Sequence, residues 1–179
     1  MPNFWNTTSL DPKRQFKFKV SFGSIAAGID TSQFYLAQAA DRPTWTVSDG
    51  TKVDFLDKSF HFPGKVTWNN ISITFIDGAD QVDNMALKAY NYLGGSGWVR
   101  PDLVAGTAAN FATISKANAA GGNSVRIEAL NSAGLVTETY ILNNAFITKV
   151  DLDGFDYKNE GILTAKFNFR YDWADITVV

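Results

Sequence analysis

The stretch Arg14-Gln15-Phe16-Lys17-Phe18-Lys19-Val20-Ser21-Phe22 alternates apolar and polar residues from Phe16 onward. Successive side chains of a strand point to opposite faces, so Phe16, Phe18, Val20 and Phe22 fall together and Lys17, Lys19 and Ser21 fall opposite them. Near the other end, Leu163-Thr164-Ala165-Lys166-Phe167-Asn168-Phe169-Arg170-Tyr171 repeats the pattern, with Lys166, Asn168 and Arg170 on the polar face. Strands with one apolar and one wet face belong to antiparallel sheets packed on one side only. These two segments set the expected class: mainly β.

The chain between them fills in the outline. Residues 34–40 read as a second strand, closed by Asp41-Arg42-Pro43. Trp45–Ser48 and Lys52–Phe55 flank Asp49-Gly50, a pair that tolerates the positive φ of a tight turn, and read as a hairpin. A short extended piece, 58–62, leads to the turn Pro63-Gly64, and residues 66–76 form one strand stopped by Asp77-Gly78. Ser124–Leu130 and Leu135–Leu142 form a hairpin around Asn131-Ser132-Ala133-Gly134, followed by a strand over 145–152. One helix is expected over 81–93, where Val82, Met85, Ala86, Ala89, Tyr90 and Leu93 share a face of 3.6-residue period. Asp80 is its expected N-cap, Gly94 its end, and Asp83, Asn84, Lys88 and Asn91 its wet face. Residues 94–123 are rich in Gly, Ala and Asn, and read as a long loop or as a loop with a short helix near 108–120. No repeat or linker divides the chain, so one domain is expected over 1–179, with a polar N-terminal arm at 1–12. The expected architecture is an antiparallel β-sandwich or barrel with one flanking α-helix.

Composition narrows the chemistry. A chain of 179 residues can bury roughly 70% of its unfolded surface around one core. Without cysteine there is no thiol catalysis and no disulfide framework, and a single histidine excludes a His-rich metal site. A formal charge of −2 does not suggest a nucleic-acid clamp. No apolar run approaches the roughly 20 residues of a membrane helix, so no membrane anchor is expected. The opening Met1–Ser9 lacks a basic start followed by an apolar stretch, so no signal peptide and a cytoplasm-like site of synthesis are expected.

No catalytic constellation emerges. His61 lies between Phe60 and Phe62 in a strand-like run. Gly94-Gly95-Ser96-Gly97 falls short of a nucleophile elbow because Trp98 stands where the last glycine is required. Asp151-Leu152-Asp153-Gly154-Phe155-Asp156 suggests a calcium loop, but Phe155, Asp156 and Ile162 occupy the positions that need a ligand, a glycine and a glutamate. The Gly-rich segments lack the Gly-Lys-Ser/Thr ending of a phosphate loop. The only basic cluster, Lys13, Arg14, Lys17 and Lys19, reads as a solvated or partner-facing strand. No catalytic residue, metal ligand or cofactor is expected.

The order of motifs carries more information than any one of them. A Pro-Lys-Arg-x-Phe-x-Phe-x-Val strand (12–20) comes first. A Pro-Gly turn then precedes a Trp-containing strand (Val66–Phe75), an Asp-Gly break and an amphipathic helix. The chain closes with Asn144-Ala145-Phe146, a Lys149-Val150-Asp151-Leu152-Asp153 stretch and a last strand ending Phe169-Arg170-Tyr171-Asp172-Trp173. This resembles the tail tube protein of contractile-tailed bacteriophages and, more distantly, the inner-tube proteins of phage-like injection systems and of type VI secretion. The segment 96–123 matches least and reads as an insertion.

The resemblance implies a non-enzymatic virion protein whose copies close into hexameric rings and stack into a tube. Its implied partners are further copies of itself, a tail sheath protein, a baseplate and a tape-measure protein. DNA would pass non-specifically through the lumen of a tail assembled in the host cytoplasm. An inner tube of an injection or type VI-like secretion apparatus is the alternative. By position, Asp49, Gly50, Thr51, Lys52 and Asp57 become candidates for contact between rings. Asp83, Asn84, Lys88 and Asn91 become candidates for facing the sheath. Lys17, Lys19, Lys166, Asn168 and Arg170 become candidates for facing the lumen or a neighbouring copy. From other classes, a carbohydrate-binding sandwich would use Trp45, Trp68 or Trp98 as stacking platforms, and a β-sandwich hydrolase would use paired carboxylates.

Overall fold

The computed structural model describes residues 13–22, 36–103, 113–120, 124–158 and 160–179. The expected N-terminal arm 1–12, the end of the first strand at Gly23, Phe34 and Tyr35 of the second strand, residues 104–112 of the expected insertion and the Gly121-Gly122 turn lie outside them.

In chain order the strands are β1 (Phe18–Phe22), β2 (Ala37–Ala40), β3 (Trp45–Val47), β4 (Thr51–Phe55), β5 (Lys58–Phe62), β6 (Val66–Trp68), β7 (Ile71–Ile76), β8 (Ser124–Leu130), β9 (Val136–Asn143), β10 (Phe146–Leu152), β11 (Thr164–Arg170) and β12 (Trp173–Val178). Helices α1 (Met85–Gly95) and α2 (Lys116–Ala120) lie between β7 and β8. One sheet has the order β1-β8-β9-β12 and the other β10-β11-β7-β2, all pairings antiparallel. The chain is mainly β, as the alternating segments require.

The apolar faces of the two sheets meet in one core. Val20, Val125 and Leu142 from the first sheet, and Ile73, Phe167 and Phe169 from the second, are fully buried. Phe22 bridges the layers, its ring 5.7 Å from Phe75 and 5.9 Å from Phe169. Phe75 meets Phe167 edge-on at 5.6 Å, a preferred aromatic geometry.

The sheets also join at a corner. The β10–β11 ladder continues as the β9–β12 ladder, so two chain segments pass together from one sheet into the other. Asn144 takes a positive φ of 54° at the bend. The Asp172 backbone N–H donates to the Asn143 carbonyl at 3.1 Å. The Asp172 carboxylate accepts from Asn144 Nδ2 at 2.8 Å and from Lys116 Nζ on α2 at 2.6 Å. Those bonds, led by the one from Lys116, hold the Asp172 carboxyl below the usual carboxylate range.

Several expectations need correction. The opening strand starts at Phe18; Gln15 and Phe16 form a turn, and Phe16 is exposed. The strand over 66–76 is two strands separated at Asn69-Asn70. Strand β12 has no counterpart in the expected elements, because the alternating pattern stops at the corner around Asp172. The expected Trp45–Phe55 hairpin does not form: β3 pairs with β6, and β4 pairs with β5.

Helix α1 begins four residues later than its pattern suggests. Asn84 is the N-cap, its side chain accepting from Leu87 N at 2.6 Å. Asp80 instead accepts from the Asp83 N–H in a preceding turn. The buried face is Met85, Lys88, Ala89 and Tyr92, so Lys88, expected on the wet side, is buried, while Val82 and Tyr90 are exposed. Tyr92 fixes this rotation: its hydroxyl accepts from Ile147 N at 3.1 Å and donates to the Ala119 carbonyl at 3.2 Å.

Candidate assembly surfaces

Residues 45–68 form an arm built from an interrupted hairpin. The reversal is at Leu56-Asp57, with Leu56 at φ 55° and 90% exposed. Asp49-Gly50 forms a joint between two ladders. Gly50 has φ 64°, and a Cβ there would lie 1.9 Å from the Phe62 carbonyl oxygen. Ser48 stitches the joint: its carbonyl accepts from Gly64 N at 2.9 Å, its Oγ accepts from Lys65 N at 2.9 Å, and its N–H donates to the Lys65 carbonyl at 3.0 Å.

The arm is rooted by aromatics. Trp45 and Trp68 are cross-strand partners with rings 5.3 Å apart, and Trp68 meets Tyr171 at 5.9 Å. Beyond the joint, every residue of β4 and β5 is exposed. Register sorts them cleanly. Thr51, Val53 and Phe55 stand opposite Phe62, Phe60 and Lys58 on one face, while Lys52 and Asp54 stand opposite His61 and Ser59 on the other. The polar face is internally bonded: Ser59 Oγ donates to Asp54 at 2.5 Å and Lys52 Nζ lies 3.0 Å from the same oxygen. Those bonds, Ser59's first, hold the Asp54 carboxyl below the usual range. The apolar face has Val53, Phe55, Phe60 and Phe62 exposed, with no described residue covering it. An isolated two-stranded hairpin is marginal in water, and a clustered apolar face marks an interaction site.

The expected inter-ring residues are spread along this arm. Asp57 is at its tip, Asp49 and Gly50 are at the joint, and Thr51 and Lys52 are on opposite faces of β4. The expected lumen or neighbour-facing residues divide between the two outer faces. Lys19 is on the outer face of the first sheet, with Nζ 3.0 Å from buried Glu128, which Arg126 also approaches at 3.6 Å. Lys17 precedes the strand and donates to the Asn131 and Ser132 carbonyls at 3.3 and 3.1 Å, clamping the β8–β9 turn. Lys166, Asn168 and Arg170 are on the outer face of the other sheet. The structure thus puts Lys19 on one outer face of the sandwich and Lys166, Asn168 and Arg170 on the other. Of the helix candidates, Asn91 is exposed, Asp83 and Asn84 are half-buried, and Lys88 is buried.

A charged cluster that the sequence pattern does not single out closes one end of the sandwich. Glu138 and Tyr140, both buried, project inward from β9. Lys13 donates to Glu138, Arg42 lies 3.6 Å from it, and the Tyr140 hydroxyl donates to it at 2.6 Å. Arg42 also donates to the Tyr140 oxygen, with its guanidinium 5.2 Å from the ring centre. The bond from Lys13, then that from Tyr140, holds the Glu138 carboxyl below its ordinary value, and burial followed by the Glu138 contact pushes the Tyr140 hydroxyl up. Three segments far apart in sequence meet here, and the even spacing of Glu138 and Tyr140 on one strand is the one local trace of it.

His61 lies on the exposed polar face of the arm. Among the described residues, no three His, Asp or Glu side chains are grouped to hold a metal ion, and no helix is long and apolar enough to cross a membrane.

No family model matches the sequence, and no curated protein matches it significantly. Solved structures do match across the whole fold. A chain of the sheath–tube complex of an extracellular contractile injection system, PVC, in the extended state is 15% identical. It aligns over 94% of this chain and 93% of its own length, with a TM-score of 0.62. A chain of the tube-terminating cap of the anti-feeding prophage is also 15% identical, aligned over 100% of both chains with a TM-score of 0.63. A chain of the anti-feeding prophage baseplate aligns over 94% of this chain and 97% of its own, at 15% identity and a TM-score of 0.59. The chain thus has the fold of protein chains that build contractile injection systems.

Proposed function

We propose that this protein is a structural tube subunit, without catalytic activity, whose copies join edge to edge into rings and stack into a hollow tube inside a contractile sheath. The observation that carries this reading is the arm 45–68, whose apolar face is formed yet left uncovered by the described residues. The free edges support it. Among the described residues, β1 and β12 each pair on one side only and, three antiparallel steps apart, run in opposite directions. Placing β12 of one copy beside β1 of the next extends the sheet antiparallel and removes both edges, a standing aggregation hazard.

The ring size of six, contacts to a sheath, a baseplate and a tape-measure protein, and a place in a virion tail follow from the family resemblance. In this reading Asn91 and the exposed residues Leu87 and Tyr90 of α1 look toward the sheath. Genome ejection is the first cargo reading. Delivery of a protein payload is the second, supported by the full-length likeness to chains of injection systems. Negative-stain microscopy of the purified protein tests the assembly: rings or tubes are expected, and a strict monomer across a wide concentration range overturns it. Nuclease-protected DNA in particles isolated from the source would favour the genome; its absence beside a co-purifying protein would favour the payload.

A further inference from the structure

Asp-Gly is a dipeptide open to rearrangement, because glycine puts no side chain in the way of its own amide nitrogen. The chain has three, Asp49-Gly50, Asp77-Gly78 and Asp153-Gly154. Their surroundings differ. Asp77 Oδ1 accepts from the Met85 N–H at 2.7 Å, and the Gly78 N–H donates to the Asp83 carbonyl at 3.1 Å, so acid and amide are both held. Asp153 accepts from Thr164 Oγ1 at 2.6 Å and from the Thr164 N–H at 2.9 Å, bonds that hold its carboxyl below the usual carboxylate range. Asp49 is exposed, and among the described residues no hydrogen bond or ion pair restrains its carboxyl. It stands at the joint of the arm, beside a glycine with a φ of 64°.

We propose that Asp49-Gly50 is a site of spontaneous backbone modification, an aspartate-to-isoaspartate conversion that unlocks the arm. The Gly50 nitrogen attacks Cγ of the neutral Asp49 acid. The N–Cγ bond forms, and the carboxyl hydroxyl leaves with the amide proton as water. The resulting succinimide takes water back at either of its carbonyls. Opening at the main-chain carbonyl of Asp49 leaves the backbone running through Cβ and Cγ, with unchanged mass and water as the only co-reactant. The joint has no room for the added chain atom. A Cβ on Gly50 would lie 1.9 Å from the Phe62 carbonyl oxygen, and one on Gly64 would lie 2.1 Å from Ser48 Oγ and 3.0 Å from Gly50 Cα. Ser48, next to the rearranged residue, makes three bonds across the joint to Gly64 and Lys65. Lengthening the chain there pulls these bonds apart and frees the β4–β5 ladder from the β3–β6 ladder, while the sandwich, which shares none of them, keeps its fold. Neither step needs a second copy of the chain.

The full-length protein is incubated at neutral pH and physiological temperature, and isoaspartate is located by peptide mapping. A protease that cuts before aspartate but not before isoaspartate, and labelling by an isoaspartyl methyltransferase, report the same product independently. In the folded chain, isoaspartate at 49 should exceed that at 77 and at 153 by about tenfold or more, the effect of one retained hydrogen bond to a charged group. In guanidinium chloride the three pairs should convert at similar rates, since the bonds that distinguish them are gone. Thr164→Val, which removes one donor from Asp153, should raise conversion at 153 alone. Asp49→Glu should abolish conversion at 49, because closure would need a larger and slower ring. In the aged fraction the Gly64 and Lys65 amides should exchange faster while those of β8 do not. Equal conversion of the three pairs in the folded chain, or an Asp49 that converts only in guanidinium chloride, would overturn the site. Undiminished protection of Gly64 and Lys65 in the isoaspartyl fraction would overturn the unlocking.

Discussion

At the scale of single residues, the Glu138 cluster shows how a buried charge is made tolerable. The carboxylate has Lys13, Arg42 and the Tyr140 hydroxyl as partners, and a buried ion without them would be strongly destabilising. Because its carboxyl is held below the ordinary 4.5, its contribution to stability is complete above that value and is lost as pH falls through the depressed one. The thermal midpoint of the wild type should therefore fall more steeply between pH 5 and pH 3 than that of Glu138→Gln, measured by circular dichroism. Glu138→Ala removes the acceptor of a buried hydroxyl and should cost about 1–3 kcal/mol at neutral pH by urea unfolding. In the core, Phe167 is fully buried among Phe75 and Phe169, and Phe167→Ala should cost about 3–5 kcal/mol in the same assay.

Elements differ in what holds them. The corner between the sheets depends on Asp172, which ties α2 to the bend through Lys116 and Asn144. Asp172→Ala should cost about 1–2 kcal/mol and raise amide exchange in β12 more than in β8. The arm has no core of its own, so its order rests on the Ser48 stitches, the Trp45–Trp68 pair and the backbone at Gly50. Gly50→Ala adds a Cβ against the Phe62 carbonyl at a positive φ, a strain of about 1–3 kcal/mol. The tryptophan near-UV signal should weaken while the midpoint of the main unfolding transition stays put, since the joint lies outside the sandwich.

For the whole molecule, the separation of body from arm gives the sharpest expectation. Phe60→Asp changes a residue that touches no core, so the stability of the isolated chain should move by less than about 0.5 kcal/mol. Polymerisation should nonetheless need much higher protein concentration, read by sedimentation or light scattering. Equal loss of stability and assembly would mean that the arm belongs to the folded body after all.

Much of the sandwich can be read from pattern alone. Phe18, Val20 and Phe22, and Phe167 and Phe169, announce half-buried strands because side-chain direction alternates along any strand, whatever it pairs with. Pairing itself is a different matter. Asp49-Gly50 has the composition of a tight turn, yet the chain reverses at Leu56-Asp57, because two long flanking segments gain more ladder by pairing across the joint. Lys88 scores as wet on a helical wheel, but Tyr92 bonds Ile147 and Ala119 and turns that face inward. The Glu138 cluster and the two outer faces that part Lys19 from Lys166 exist only once distant strands are stacked. Local sequence set the direction of each side chain; which surfaces those directions met, and which were left for other copies, was decided by contacts between residues far apart along the chain.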